Sequence, residues 1–348
     1  MLTFASGGWV LILAGVLVVA TAVGILWPVL TGRPRPVGDG ANVESYRFDL
    51  SNCLMDRDEL VPSGVSKDGL HAMMSPRFLT VAGVDVMNNE RTNEGGHKRL
   101  LVPDERVIGV TLGGQSKAYP VNILMLHEVV NDVVGNVPVV VTFSGVCDSA
   151  VVMDRRVEGK TLEFGFSGLL YQSNLLMYDR QPGGAGESLW SQLQWRAVAG
   201  PAAGRKTVLT LLPFEFVTYG QWKLEHPDGL VLAPEPSLED EYKADRYSHY
   251  YASDEVKFAV KPLWDDPRYA KKTHMLAEQT EAGWKLRVVE RVKEHGPTTI
   301  AATEKSMEKN ALPGIRIPCL LFAWYAQHPQ ESAIAATPWV MTYEKVAR

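Results

Sequence analysis

The stretch TFSGVCDS, residues 142–149, sets a lone thiol, Cys147, in a run of small and polar residues. Apolar segments flank it, VPVVV leading in and AVVM leading out. The pattern predicts two strands joined by a short turn, and loops on a rigid scaffold are where reactive groups tend to sit. A thiol acts as nucleophile or metal ligand only as thiolate, which needs a positive or hydrogen-bonding surrounding. His127, upstream on an expected helix, could come back over the turn as its base. Cys with His is the minimal nucleophile–base pair, and Asn131 or Asp132 would orient the imidazole. The plainer alternative is a small buried cysteine, since unpaired Cys is among the most buried residue types. A soft or borderline ion held by Cys147 and His127, with His71 or Asp148, is a further option, although no paired CxxC or HxxxH spacing supports it.

Other polar clusters widen the candidate site. Lys67 and Asp68 beside a glycine could bind an anion or orient a base, or could form a solvated turn. Tyr171, Ser173 and Asn174 lie between apolar SGLL and LLMYDR, so one face turns inward and its hydroxyls need partners. Asp154-Arg155 and Asp179-Arg180, at strand ends, read as structural ion pairs. No phosphate-cradling glycine loop, HExxH, GxSxG or dinucleotide fingerprint occurs.

The elements that must position these residues are mixed. Residues 48–78 carry many breakers and read as irregular with short elements, and polar MNNERTNEGGHKR (87–99) reads as an exposed loop. ERVIGVTLGGQSKAYPV (105–121) predicts a hairpin about Gly113-Gly114. VNILMLHEVVNDVVG (121–135) has helical spacing, with Gly135 as its stop. Glu158-Gly159 suggests another hairpin. KTVLTLLPFEFVTY (206–219) is strand-rich, a short helix should surround Trp222, and VKFAV and WKLRVVERV are strand candidates. WKLEHP (222–227) echoes WYAQHP (324–329), each Trp reading as a core plug and each His-Pro as a helix terminator. The apolar tail IPCLLFAWYAQHP should pack back on the same core. The expected class is α+β, mainly antiparallel strands with a few short helices, preceded by one N-terminal transmembrane helix.

That last element follows from the first residues. Met1 to Gly32 holds no charged side chain, and Trp9 to Leu30 is almost wholly apolar. About 20 apolar helical residues cross a hydrocarbon core, and Trp9 and Trp27 near the ends of the run suit the membrane interface. A cleaved signal peptide is the rival, but a charged leading region is missing and the apolar run continues past the small residues ATA at 20–22. The expected organisation is an anchor at 1–32, a Pro- and Gly-punctuated linker at 33–45, and a body at 46–348. Within the body, 261–348 should pack on a core at 46–260. The chain's 348 residues with 46% hydrophobic and 22% charged content describe a folded protein. A net charge of −5, from 35 basic and 40 acidic side chains, excludes the concentrated basic surface that nucleic acid needs. Three cysteines allow one bridge at most.

Several of these segments, in order, resemble a known bacterial family. PSGVSKDGLHAMMSPRF, RVIGVTLGGQSKAYPVNILMLHEVVND, VPVVVTFSGVCDSAVVMDR, FGFSGLLYQSNLLMYDR, ESLWSQ and LEHPDGLVL are similar to the family called domain of unknown function 3179, over roughly 46–260 and more loosely around FAWYAQHP. The resemblance implies no settled activity. Relatives often look exported or lipid-anchored, which implies a body on the periplasmic side. Arg33 and Arg35 after the apolar run speak instead for the cytoplasmic side. The family's Cys-Pro-x-Cys-like turn puts Ser144 at the place of the first cysteine and Cys147 at the second. Two thiols there could form a redox pair or grip a metal, whereas one cannot cycle alone. The leading expectation is a membrane-anchored protein of unknown activity whose cleft gathers His127, Cys147 and residues 171–174. The second is a non-catalytic accessory or scaffolding subunit docked by its helix to other membrane-protein subunits. The third is a small-molecule or metal-binding module without turnover. The expected partner in every case is the lipid bilayer, through residues 9–30, and the sequence leaves any cofactor unknown.

Overall fold

The computed structural model describes residues 36–93, 99–293, 314–335 and 339–343, together with Ala14, Val16 and Leu17. The expected anchor at 1–32 otherwise lies outside the described residues. Among those described, no helix is long and apolar enough to cross a membrane.

Short pieces open the body, as its breakers predict: β1 (Leu60–Pro62), β2 (Met73–Met74) and β3 (Phe78–Thr80). Helix α1 (Val81–Asn93) follows. Residues 87–93, expected as loop, are therefore helical. The Asn88 side chain shows why, accepting from Leu100 N at 2.9 Å and donating to the Leu101 carbonyl at 2.7 Å, which ties the helix to the returning chain. β4 (Arg106–Leu112) and β5 (Gln115–Pro120) form the predicted hairpin about Gly113-Gly114, whose φ of 54° and 78° suits glycine.

Helix α2 (Val121–His127) is shorter than the period suggests. It ends at Glu128, which takes left-handed backbone at φ 56° and donates its N–H to the Leu124 carbonyl at 2.7 Å. The β-branched run VVNDVV then prefers a strand, β6 (Val129–Val134), and Gly135-Asn136 turns it into β7 (Val137–Ser144). β8 (Ser149–Asp154) pairs with β7 from Ser144↔Ser149 to Val139↔Asp154, so residues 145–148 are a hairpin tip. Cys147 does sit in a turn between strands.

β9 (Arg156–Val157) and β10 (Lys160–Thr161) make the small hairpin expected at Glu158-Gly159. β11 (Phe164–Tyr171) and β12 (Asn174–Asp179) join through Gln172-Ser173, both left-handed. Then come β13 (Leu189–Ser191), β14 (Arg196–Ala199), α3 (Pro201–Gly204), β15 (Glu215–Thr218), α4 (Tyr219–Glu225) and β16 (Leu230–Leu232). Of the run at 206–219 only Glu215–Thr218 is a strand, while Val208 and Leu211 make single bridges. The chain continues through α5 (Ser248–Ala252), β17 (His274–Thr280), β18 (Gly283–Lys293), β19 (Arg316–Leu320), α6 (Leu321–Gln327) and β20 (Trp339–Tyr343). VKFAV at 256–260 is no strand. The Phe258 carbonyl is taken by the Ser173 hydroxyl at 2.9 Å rather than by a strand edge.

The strand orders are β1-β11-β12-β13-β14, β15-β4-β5-β16-β3, β2-β6-β7-β8 and β19-β17-β18-β20. Pairing is antiparallel except at β16–β5, β18–β20 and β2–β6. The class is α+β with mostly antiparallel strands and few helices, as expected. The largest core joins three sheets: Val129, Val140 and Val151, then Phe164, Leu175 and Trp190, then Met275 and Ile317. Burying each such side chain contributes roughly 1.5–3 kcal/mol. Leu320 to Trp324 lie in this core too, as the apolarity of the tail predicts. The hairpin tip with Cys147 is driven into the place where these sheets meet.

Candidate functional site

Cys147 is fully buried. Its thiol donates to the Ser173 carbonyl at 3.2 Å, and its own carbonyl accepts from Leu320 N at 2.8 Å. Burial pushes the thiol up to about 12, against the opposing hydrogen bonds of Asn174 and Ser144. At neutral pH it is a protonated thiol and a poor nucleophile.

The Glu128 carboxyl lies close enough to this sulfur for its charge to disfavour a thiolate. Because Glu128 turns the chain from α2 into β6, its side chain enters the core. Burial raises its carboxyl to about 8, and among the described residues its Oε2 has no hydrogen-bond partner. A left-handed non-glycine residue costs on the order of 1 kcal/mol, and an unpartnered buried oxygen about 1–3 kcal/mol. Such costs gather at working groups more than at packing ones.

Residues 247–262 strap across the tip. The Tyr247 ring fills the space a Cβ on Gly145 would take, at 2.4 Å. The Tyr251 hydroxyl donates to the Gly145 carbonyl at 2.6 Å, and Lys261 N donates to Gln172 Oε1 at 2.6 Å. With the Ser173–Phe258 bond, the strap is fastened to both hairpin tips. The Tyr250 hydroxyl is buried without a partner among the described residues, and the Lys272 ammonium lies 3.6 Å from its ring centroid. Burial raises the hydroxyls of Tyr247, Tyr250 and Tyr251, so all three stay protonated. Glu128, Cys147, Tyr247 and Tyr250 thus form a polar but uncharged group under the strap.

Asp148, the next residue, is buried and charged. Burial opposes its ionisation, but Arg106, bidentate at 2.7 and 2.8 Å, and His274 Nδ1 at 2.9 Å hold it well below the usual carboxylate range.

The imidazole–sulfur couple expected from the sequence is not assembled. His127 Nδ1 lies 2.7 Å from the His71 carbonyl, which can only accept, so Nδ1 carries the proton. Nε2, 2.8 Å away, accepts from the Tyr242 hydroxyl. Both nitrogens are engaged, and burial lowers the pKa of the ring. His127 braces the chain from here. Asp132 does not orient it either: its carboxylate takes Lys117 Nζ at 2.9 Å and the Tyr119 hydroxyl at 2.7 Å. Asn131 clamps Phe164, accepting from its N–H and donating to its carbonyl, both at 2.8 Å. The ligands considered for an ion, Cys147, His127, His71 and Asp148, do not converge as a set among the described residues.

The remaining candidates lie elsewhere. Lys67 pairs with Glu187 and covers the Tyr178 ring at 4.1 Å. Asp68 accepts from the Tyr178 hydroxyl at 2.5 Å and from Arg180 at 2.6 Å. Tyr171 is half-buried at the end of β11, while Ser173 and Ser144 do touch the Cys147 environment. The two Asp-Arg pairs are re-partnered: Asp154 binds Arg156 and Arg180 binds Asp68, since neighbouring strand residues face opposite ways. Glu128 lies next to His127 in HEVVND, and a carboxylate within apolar LMLHEVV is itself a signal that the spacing argument for His127 does not use. The strap tyrosines stood in a run notable for its tyrosines, and Arg106 and His274 gave no signal.

The family model described as protein of unknown function (DUF3179) matches residues 67–318. The chain belongs to that family. The match begins later than the expected resemblance and runs past 260 into β19, so the DUF3179 unit includes the strap and His274 as well as the tip. No curated protein and no solved structure matches the chain.

Since the Ser144 hydroxyl reaches the sulfur, Ser144→Cys is expected to create an oxidisable pair with Cys147. After mild oxidation, thiol titration in denaturant should find fewer free thiols than in wild type treated alike. A count one higher than in wild type would show that the two positions do not meet.

Proposed function

We propose that this DUF3179 chain is a membrane-tethered protein whose body binds a small, uncharged, hydrogen-bonding molecule beneath the tyrosine strap, with Glu128 as the gripping group. The observation that carries this reading is the Glu128 carboxyl, buried, raised to about 8 and unpartnered at Oε2. A protonated carboxyl both donates and accepts, and the Tyr250 hydroxyl nearby is a neutral donor too. A cationic ligand would shed its water without a countercharge, because Asp148 is already balanced by Arg106 and His274, and the Lys272 ammonium beside Tyr250 is already held by the Tyr250 carbonyl and the Ser253 hydroxyl. A thiol held protonated supports binding over nucleophilic attack, and Ser144 at the family's first cysteine position supports binding over redox cycling. The uncharged Met1–Gly32 run supports the tether, and the likeness to exported relatives supports a body on the periplasmic side.

Entry requires the strap to lift. Its three fastening hydrogen bonds are worth about 0.5–1.5 kcal/mol each, so local opening precedes global unfolding. Cys147 reports this event. In a Cys53→Ser background, methyl methanethiosulfonate should label Cys147 in the native protein, and Tyr251→Phe should speed labelling by a factor of about 3 to 10. Labelling confined to globally unfolded protein would overturn the reading.

A further inference from the structure

Two segments are built alike. β15 runs into α4 and ends at His226-Pro227, and β19 runs into α6 and ends at His328-Pro329. Both helices have seven residues, and the two histidines share a backbone, φ/ψ −128°/62° and −137°/56°. In each a buried tryptophan lies against the histidine ring, Trp222 on His226 at 5.1 Å between centroids and Trp324 on His328 at 4.3 Å. The sequence echo is a repeated strand–helix–cap unit.

What surrounds the histidine differs. In the second unit, His328 Nε2 bonds the Leu193 carbonyl at 2.7 Å, and Trp324 Nε1 donates to the Glu331 carbonyl at 3.2 Å. In the first, Glu215 and Glu225 stand where the second has Ile317 and Gln327. His226 Nε2 lies 3.3 Å from Glu215 Oε2, and one ligand atom from each of Glu215, Glu225 and His226 lies within 4.8 Å of the others. The Trp222 indole N–H, fully buried, has no partner among the described residues. It adjoins the same carboxylate, since a Cβ on Gly109 would stand 2.6 Å from Trp222 Nε1 and 3.3 Å from Glu215 Oε2. The framework itself needs neither carboxylate, because its second copy forms with an isoleucine and a glutamine there.

We propose that Glu215, Glu225 and His226 bind one divalent transition-metal cation, with the Trp222 N–H directed at a water or anion that completes its coordination. One nitrogen and two carboxylate donors suit a borderline ion such as Zn²⁺. Glu225 is exposed, and its carboxylate accepts only a long hydrogen bond from Gln221 Nε2 at 3.4 Å among those described, which a cation would replace. Trp222 fixes the plane of the imidazole, as outer partners of metal ligands do.

Zn²⁺ alone is the probe. Calorimetric titration of the full chain should show one equivalent bound and a raised unfolding temperature. Glu225→Gln, at an exposed position, should keep the metal-free unfolding temperature and lose at least about tenfold in affinity, the loss that even an outer partner of a ligand brings. No binding of Zn²⁺, or equal affinity in wild type, Glu225→Gln and His226→Gln, would overturn the site.

Discussion

Lys117→Met is expected to destabilise the protein by about 3–5 kcal/mol, the cost of leaving one partner of a buried ion pair uncompensated. Lys117 and Asp132 are both buried, bonded at 2.9 and 3.1 Å, and Lys117 also donates to the Val133 carbonyl at 2.9 Å. Without the ammonium, the Asp132 carboxylate keeps only the Tyr119 hydroxyl among its side-chain partners here. The double variant Lys117→Met/Asp132→Leu should recover a large part of the loss, since a well-packed apolar pair often replaces a buried ion pair at little cost. Urea unfolding of the two variants and wild type decides it. A loss below about 1 kcal/mol in Lys117→Met would mean that the pair is effectively solvated. Labelling of Cys147 under native conditions should keep its wild-type rate in these variants, because it proceeds through local opening of the strap and neither residue touches the tip.

Glu128→Gln should abolish a fall in stability with rising pH around neutrality and so reverse the order of the two proteins. The unfolded carboxyl titrates near 4.5 and the folded one near 8. Below pH 4.5 both states hold the proton, and the contribution of this group to stability is fully present. Between 4.5 and 8 the unfolded chain has released its proton while the folded protein keeps it, so stability falls as pH rises. The total fall is on the order of 5 kcal/mol, and it ends once the folded carboxyl ionises too. Glutamine does not titrate. Near pH 5 the variant should match wild type or be weaker by about 1–2 kcal/mol, because its added N–H groups need partners. Near pH 8 it should be the more stable of the two. Unfolding free energies at a series of pH values test this, and parallel curves for the two proteins would remove the buried acid from the account.

Legibility from sequence followed how local each cause was. The hairpins at Gly113-Gly114 and Glu158-Gly159, the turn holding Cys147 and the helix about Trp222 all rest on neighbours in the chain, and all are present. The helix from Val121 is shorter than its spacing predicts, because helical spacing continues through a β-branched run. Pairing with β7 decided that run, and pairing partners are not local. For the site, position in the chain pointed to the right tip but to the wrong couple. His127 and Glu128 are adjacent, yet the left-handed cap sends one side chain to Tyr242 and the other toward Cys147. That divergence is set by a single φ, which no spacing rule reveals. The strap could not be placed at all, since its hold on the tips runs through Tyr251, Ser173 and Gln172 rather than through any periodic pattern. The echo of Trp and His-Pro was visible in full, and only the contrast of Glu215 and Glu225 with Ile317 and Gln327 gave it a chemical meaning.

The most direct measurement is an infrared pH titration of the protonated-carboxyl band, taken as the difference between wild type and Glu128→Gln. A band present at pH 7 in wild type, absent from the variant and fading near pH 8, is the expected result. Its disappearance in the ordinary carboxylate range, near pH 4.5, would contradict the assignment of Glu128 as a neutral acid under the strap.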